Sequence, residues 1–324
     1  MKENKLLIIF TLLLLSSFFS LDSFAQAWKR NRKELIFGVG ATGFLGDLGG
    51  ANAYGTDYSP VDMELTLTRP VVSAGMRYQI SNWSKLRGNF AFGQVAGDDK
   101  LTKEKFRNNR NLHFKSPIVE LSFLYEFYFQ RERVGLKYNI RQSKGFKWKN
   151  FASYGFTGFA TIFFNPRAQY NGQWYALQPL GTEGQGMIGF PKKYSRINFA
   201  IPIGVGVQYS LNRLWKVGME FGYRKTFTDY IDDVSGHYAD HSTLAKFYEE
   251  NGIRPDLANI ADPNLKSSIT TGYDESGLYF QGITADTKNI LPYPLRGQPQ
   301  KDTYLFASFT VIYKIISFGS RAKF

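Results

Sequence analysis

The chain has 324 residues, of which 43% are hydrophobic and 21% are charged, and this balance excludes an intrinsically disordered protein. Cysteine is absent, which excludes disulfides, zinc–thiolate sites, iron–sulfur clusters and thiol catalysis. The formal net charge is +13, so nucleic-acid binding depends on where the basic residues lie. Aromatic residues make up 17% of the chain and 31 residues are glycine, a composition that favours strands over helices.

The first 25 residues have the pattern of a secretory signal peptide. Lys2 and Lys5 form a basic start, residues 6–15 are an apolar run, and small residues precede a cleavage point before Gln26. The apolar run is shorter than the about 20 residues that a membrane-spanning helix needs. We therefore predict a cleaved signal peptide at residues 1–25 and one mature domain at residues 26–324. Export separates the mature chain from cellular DNA and RNA, so no nucleic-acid partner is predicted.

Alternation of large apolar residues with small or polar ones predicts eight strands in the mature chain. They are, in chain order, residues 35–42, 72–80, 89–93, 119–129, 153–164, 201–209, 215–224 and 304–313. A soluble β-sandwich would alternate in the same way. However, long and short connections alternate between the successive strands, which is typical of outer-membrane barrels with long outer loops and short periplasmic turns. The predicted fold is therefore all-β, an eight-stranded antiparallel transmembrane β-barrel with long extracellular loops.

Six charged side chains fall on the inward face of these strands. An eight-stranded barrel has room inside for side chains only. Buried charges need partners, and the two signs are equal in number. The alternation thus predicts a filled barrel with an interior charge network of Arg77, Arg87, Glu120, Glu126, Glu220 and Arg224.

The basic excess gathers at the predicted periplasmic end. The amino-terminal stub, three turns and the carboxy-terminal tail hold a surplus of +15, in which Lys85 and Lys216 are counted with the short turns. The second turn has seven basic residues at 131–149 against Glu132. Such a rim can attract anionic headgroups of the outer-membrane lipids. It can also dock an acidic periplasmic partner. The residues predicted to dock are Lys29, Arg30, Arg131, Arg133, Arg141, Lys144, Lys147 and Lys149.

Several motifs have simpler structural interpretations. The sequence from Gly38 to Gly43 matches G-x-G-x-x-G, but no helix pattern follows it, so the glycines are expected to relieve crowding inside a narrow barrel. His237 and His241 flank Asp240 at helical spacing, and carboxylates pair at 98–99 and 232–233, yet both patterns are ordinary in surface loops. We predict no metal, no cofactor and no catalytic residue. Residues 242–252 are predicted to form a short helix over the barrel mouth, with Ser242 as its cap, Leu244, Phe247 and Tyr248 on one face and Gly252 as its end.

Seven sequence blocks together resemble the PorG-type outer-membrane β-barrel family, which is associated with type IX secretion in Bacteroidota. The blocks are FLGDLG at 44–49, RP at 69–70 leading into MRY at 76–78, GDD at 97–99, RNLHFKS at 110–116, FNPRA at 164–168, LQPLGTEGQG at 177–186 and GYRKTFTDYIDDVS at 222–235. The resemblance spans most of the mature chain. It implies a non-enzymatic barrel whose periplasmic partners are the secretion ring proteins, a lipoprotein and its partner. It implies no small-molecule substrate.

The resulting hypothesis is an accessory or anchoring component of that secretion system, docked through the basic rim. One alternative is a surface adhesin or receptor that acts through its long loops. A second is a barrel hydrolase that uses Asp98, Asp99, Asp232 or His237. No Ser–His–Asp arrangement supports the second alternative.

Overall fold

The computed structural model describes residues 32–48, 65–101, 108, 110–132, 150–263, 296–297 and 301–315. These residues form ten strands, two α-helices and three 3₁₀ turns. The strands are β1 Lys33–Leu45, β2 Arg69–Gln79, β3 Ser84–Asp98, β4 His113–Gln130, β5 Phe151–Phe164, β6 Arg167–Tyr170, β7 Gln173–Ala176, β8 Ile197–Ser210, β9 Trp215–Thr226 and β10 Thr303–Lys314. The helices are α1 Leu177–Leu180 and α2 His241–Glu250, and the 3₁₀ turns are Leu65–Leu67, Asp99–Leu101 and Pro255–Ile260.

Eight of the strands close into an antiparallel barrel. Their order is β3-β2-β1-β10-β9-β8-β5-β4, and β4 pairs again with β3 to complete the ring. Every barrel strand therefore pairs with its neighbours in sequence, and β1 pairs with β10. The remaining strands, β6 and β7, form a hairpin that joins the outer end of β4 through the pair Lys115–Arg167.

The two faces of the barrel wall differ as the alternation predicts. Large apolar side chains point outward and are exposed, for example Phe159 at 76% and Phe309 at 63%. Charged and small side chains point inward and are buried. An apolar outer surface and a polar interior are the reverse of a soluble protein, and they suit a wall surrounded by lipid.

Glycine allows the strands to approach one another closely. A Cβ atom on Gly40 would lie 2.0 Å from the carbonyl oxygen of Ala307 on β10. A Cβ atom on Gly158 would lie 2.0 Å from the carbonyl oxygen of Phe123 on β4. Neither position has room for a side chain, which agrees with crowding in a narrow barrel as the reason for these glycines.

Two apolar clusters fill the outer half of the molecule. The first closes the outer mouth of the barrel and includes Val71, Phe114, Ile162, Phe164 and Phe306. The second lies in the loops and joins the β6–β7 hairpin, α1, α2 and the 3₁₀ turn at Pro255–Ile260. In the part of the chain that the structure describes, no helix is long and apolar enough to cross a bilayer.

The fold confirms the eight predicted barrel strands, with longer bounds at most ends. The β6–β7 hairpin was not predicted. The predicted helix exists, but its cap was assigned to the wrong residue: Asp240 is the N-cap and accepts from the amide of Thr243, while Ser242 donates its hydroxyl to Asp240. The predicted signal peptide at 1–25 lies outside the described residues.

Candidate functional site

Arg77 is the centre of the lumen and is fully buried. Its Nε lies 2.9 Å from Glu126 Oε1, and its Nη2 lies 2.7 Å from Glu220 Oε1. Arg87 contacts the same two carboxylates, at 3.0 and 2.6 Å. Tyr154 donates to Glu220 and accepts from Arg77. Two guanidinium groups thus share two carboxylates, so the charges of this layer cancel.

Arg224 and Glu120 form a second pair nearer the outer mouth. Arg224 Nε lies 3.3 Å from Glu120 Oε2, and the hydroxyl of Tyr304 donates to the same oxygen at 2.7 Å. A cavity of about 20 Å³ separates this pair from the Arg87–Glu220 contact, which is room for about one water molecule. The structure therefore brings together all six residues of the predicted interior network, in two layers.

A third layer of charge lies at the periplasmic end of the lumen, and here the sequence assignment was wrong. Lys85 and Lys216 were counted with the basic rim, but both are buried and pair with Glu34 at 2.6 and 2.8 Å. Lys216 also pairs with Glu132. The alternation of the strands already indicates that Lys85 and Lys216 face the lumen, because they share the inward face with Arg87 and Glu220.

Of the predicted docking residues, only Arg131 belongs to the described part of the chain. Its guanidinium lies 4.0 Å above the ring of Trp83, which sits in the short β2–β3 turn and is 45% exposed. This contact holds the start of the basic second turn against the neighbouring turn. The other seven predicted docking residues lie outside the described residues: Lys29, Arg30, Arg133, Arg141, Lys144, Lys147 and Lys149.

The outer loops are joined by buried ion pairs into a cap, by which we mean the described loop residues that follow β1, β3, β5 and β9. Arg110 pairs with Asp99 at 2.7 Å and donates to the carbonyl oxygens of Asp47 and Arg296 at 2.6 and 2.7 Å. Arg110 thereby connects three of the four outer loops.

Arg296 connects the loop after β5 to the loop after β9. It donates to Thr182 Oγ1 at 3.0 Å, lies 3.3 Å from Glu183 Oε1 and donates to the carbonyl of Asp233. The side chain of Asp233 accepts from Tyr194 at 2.6 Å. Sequence reasoning singled out neither Arg296 nor Asp302, because both lie in a long loop with no alternation to give them a face.

Four aspartates of the cap have raised pKa values. Burial raises the pKa of Asp229 and of Asp233 to about 6. Burial, with repulsion from neighbouring aspartates that include Asp47 and Asp229, raises the pKa of Asp232 and Asp302 well above the ordinary range. One oxygen of Asp229 and one of Asp302 accept no hydrogen bond within the described structure. These carboxyl groups are therefore suited to hold protons.

The candidate catalytic and metal motifs do not assemble into one site. Asp99 is tied to Arg110, Asp232 accepts from the amides of Leu48 and Val234, and Asp98 accepts from the amide of Lys100. His241 contacts Asn259 at 3.2 Å. Across the described ranges, no three His, Asp or Glu side chains are placed to hold a metal ion. The carboxylate pairs serve instead as structural ties.

A closed antiparallel barrel with an apolar outside, a charge-filled lumen and a packed outer cap is an integral outer-membrane barrel. The sequence profile described as the outer membrane protein beta-barrel domain matches residues 11–245. The chain belongs to that family, and the protein lies in the outer membrane. No curated protein matches the chain.

Solved structures to which the chain is similar include three outer-membrane proteins. The N-terminal β-barrel domain of OprF from Pseudomonas aeruginosa has 9% identity and a TM-score of 0.32, covering 88% of this chain and 98% of that one. Ail, the attachment invasion locus protein of Yersinia pestis, has 7% identity and a TM-score of 0.35, covering 88% and 99%. OprG from Pseudomonas aeruginosa has 10% identity and a TM-score of 0.34, covering 88% and 98%.

Proposed function

We propose that this outer-membrane barrel is a non-enzymatic anchoring component of a type IX secretion apparatus. It docks a periplasmic ring, built from a lipoprotein and its partner, through the basic rim. The ring is the partner that the PorG-type resemblance implies. Docking is supported by the net positive charge that remains at the periplasmic end after the ion-paired residues of the lumen are subtracted.

This net positive charge changes little when the residues that face the lumen are left out of the count. Lys85 and Lys216 leave the rim together with Glu34 and Glu132, and these two pairs cancel. Lys314 also faces inward, on the same side of β10 as the buried Thr310 and Ile312, so the surplus of the periplasmic stub, turns and tail falls only from +15 to +14. A surplus of this size, concentrated at one end, favours an acidic partner surface.

The filled lumen supports anchoring over conduction. Five acidic and five basic side chains pair with one another along it, and an apolar cluster closes its outer mouth. Opening a path would separate buried ion pairs, which costs several kcal/mol for each uncompensated charge. The functional contacts of such a barrel are therefore expected at its two ends and not along its lumen.

The test is in-cell crosslinking of a tagged copy, with mass spectrometry of the linked peptides. We expect links from Lys144, Lys147 or Lys149 to a periplasmic lipoprotein. Changing these three lysines to Gln should weaken binding of that partner on the order of 100-fold, since each basic residue contributes on the order of 1 kcal/mol near an anionic surface.

The matched control changes three exposed lysines of the outer loops to Gln, at Lys192, Lys193 and Lys246. This control should leave recovery unchanged, and both variants should keep the heat-modifiable gel mobility of a folded barrel. Good labelling of the periplasmic lysines with no protein partner would contradict the docking proposal.

A surface receptor is the second candidate, and the cap favours it. The described part of its loops has its own apolar core around Leu244 and Tyr248, which are buried, so this part of the outer surface is well packed. This candidate requires that removal of the cap abolishes a surface activity while the periplasmic lysines are dispensable.

A further inference from the structure

Two basic side chains meet on the outward face of the barrel at its outer end. Lys115 on β4 and Arg167 on β6 are direct partners in the strand pairing. Lys115 is partly exposed and Arg167 is exposed. The β6–β7 hairpin that holds Arg167 is fixed to β4 by a further bond, in which His113 Nε2 accepts from the amide of Gln169 at 3.0 Å.

Like charges directly opposite one another destabilise a strand pair unless an anion lies between them. Within the described residues, neither Lys115 nor Arg167 forms an ion pair with an acid. The acidic residue nearest to them in the strand register is Asp98 on β3. It lies opposite His113 of β4 and accepts a hydrogen bond from the amide of Lys100. The two cations are thus held side by side by the strand pairing, and no acidic side chain in the described part of the chain neutralises their charge.

An aromatic ring completes this site. Lys115 Nζ lies 4.5 Å from the ring of Trp174 on β7, and Trp174 is 39% exposed. Tryptophan with lysine or arginine is typical of the boundary between the apolar and the polar part of a membrane. The ring also holds the lysine in place for a ligand.

The height of the site along the wall fits this boundary. Leu121 on β4 faces outward and is 64% exposed, and Lys115 lies three outward-facing positions beyond it. Each such step spans about 7 Å along a strand. On the neighbouring strand, the outward-facing Phe163 is followed four residues later by Arg167. The cations therefore lie just above the apolar belt, at the level of the outer-leaflet headgroups.

We propose that Lys115 and Arg167, with Trp174 beside them, bind a phosphate group of an outer-leaflet glycolipid. The acyl chains of the lipid lie against the apolar belt below, and the phosphate bridges the two cations. Arginine supplies a bidentate donor for phosphate and lysine supplies a point charge. This site is independent of the periplasmic docking proposed above, which uses the opposite end of the barrel.

The test is native mass spectrometry of the purified full-length barrel with lipid A as the probe. Phosphorylated lipid A is compared with dephosphorylated lipid A that carries the same acyl chains. The wild-type barrel should retain the phosphorylated lipid preferentially. The double variant Lys115→Gln/Arg167→Gln should weaken that retention roughly 10- to 30-fold, because two interfacial cations are lost.

The matched control is Lys192→Gln/Lys246→Gln, two exposed loop lysines with the same change of charge. It should bind phosphorylated lipid A like the wild type. Equal retention of the two lipids by the wild type, or no loss in the Lys115/Arg167 variant, would overturn the proposal. Release of the lipid by millimolar inorganic phosphate would also overturn it, since the site would then be one for a soluble anion. Heat-modifiable gel mobility verifies that each variant is folded.

Discussion

Arg77 shows how one side chain can hold a barrel interior together. Its guanidinium contacts Glu126, Glu220, Tyr154 and Gln208, which come from four different strands. Because the group is fully buried, its desolvation is offset only by these partners. The same residue thus links distant parts of the wall across the lumen.

Replacing Arg77 with Met should destabilise the barrel by about 3 kcal/mol or more, because it leaves Glu126 and Glu220 with only Arg87 to compensate them. The measurement is urea unfolding in lipid vesicles. The double variant Arg77→Met/Glu220→Gln should recover part of the loss, since one surplus carboxylate is then neutral.

The matched control is Arg213→Met, at an exposed position in the short turn after β8. Its free energy of unfolding should change by less than about 0.5 kcal/mol. A loss in the Arg77 variant no larger than in this control would show that the lumen network does not support the fold.

The inward charges could be predicted from the sequence because the period of a strand is two residues. The same rule would also have included Lys85, one inward-facing step from Arg87, and Lys216, two such steps from Glu220. What the sequence could not provide was partner choice. Arg77 and Arg87 share two glutamates from β4 and β9, and that sharing depends on the diameter of the lumen rather than on spacing along the chain.

At the scale of elements, helix α2 begins at a single capping residue. Asp240 Oδ2 accepts from the amide of Thr243 at 2.8 Å and from the hydroxyls of Ser242 and Thr243. Changing Asp240 to Ala should destabilise the helix by about 1 kcal/mol. Hydrogen exchange of the amides in residues 241–250 should then become about fivefold faster.

Ser242→Ala separates the two cap assignments. Ser242 only donates to Asp240, so its loss should change the exchange of the helix amides little. If Ser242→Ala were the more damaging change, the capping role of Asp240 would be refuted. The period of Leu244, Phe247 and Tyr248 predicted the helix correctly, whereas the cap depends on backbone angles that a run of Asp, His and Ser does not reveal.

The β6–β7 hairpin has its sequence signal in the turn and not in the strands. Asn171 and Gly172 turn between the strands at positive φ, and Asn-Gly is typical of a two-residue hairpin turn. The strands have four residues each, too few to give a clear alternation. What could not be predicted is the position of the hairpin, which depends on β4, to which it is joined outside the membrane-spanning wall.

At the scale of the whole molecule, the cap joins all four outer loops through buried carboxyl groups. Burial raises the pKa of Asp229 and Asp233 to about 6 from an ordinary value of 3.8. The folded cap therefore binds more protons than the unfolded loops between these values. The contribution of these two groups to stability should be greatest below about pH 4 and fall as the pH rises towards about 6, and the raised pKa values of Asp232 and Asp302 should extend the fall to higher pH.

The measurement is the protection factor of amides in residues 229–236, corrected for intrinsic exchange, at about pH 5 and about pH 7.5. Protection should be greater at the lower pH. Asp229→Asn/Asp233→Asn should make this dependence shallower, with Asp232 and Asp302 accounting for what remains. The control Asp256→Asn removes a solvent-exposed aspartate that pairs with Arg254 and should leave the dependence intact. A rise of protection with pH would contradict the assignment.

The pairing of β1 with β10 has a consequence for how the barrel is assembled. Glu34 to Leu45 meet Lys314 to Thr303 without a break, so the strand made early and the strand made late share one continuous seam. Until β10 is delivered, β1 keeps an open edge, and each unpaired N–H or C=O group on it would cost several kcal/mol in hydrocarbon. Insertion into the bilayer must therefore wait for the ring to be complete, and a chain cut before Thr303 would have no stable form in the membrane.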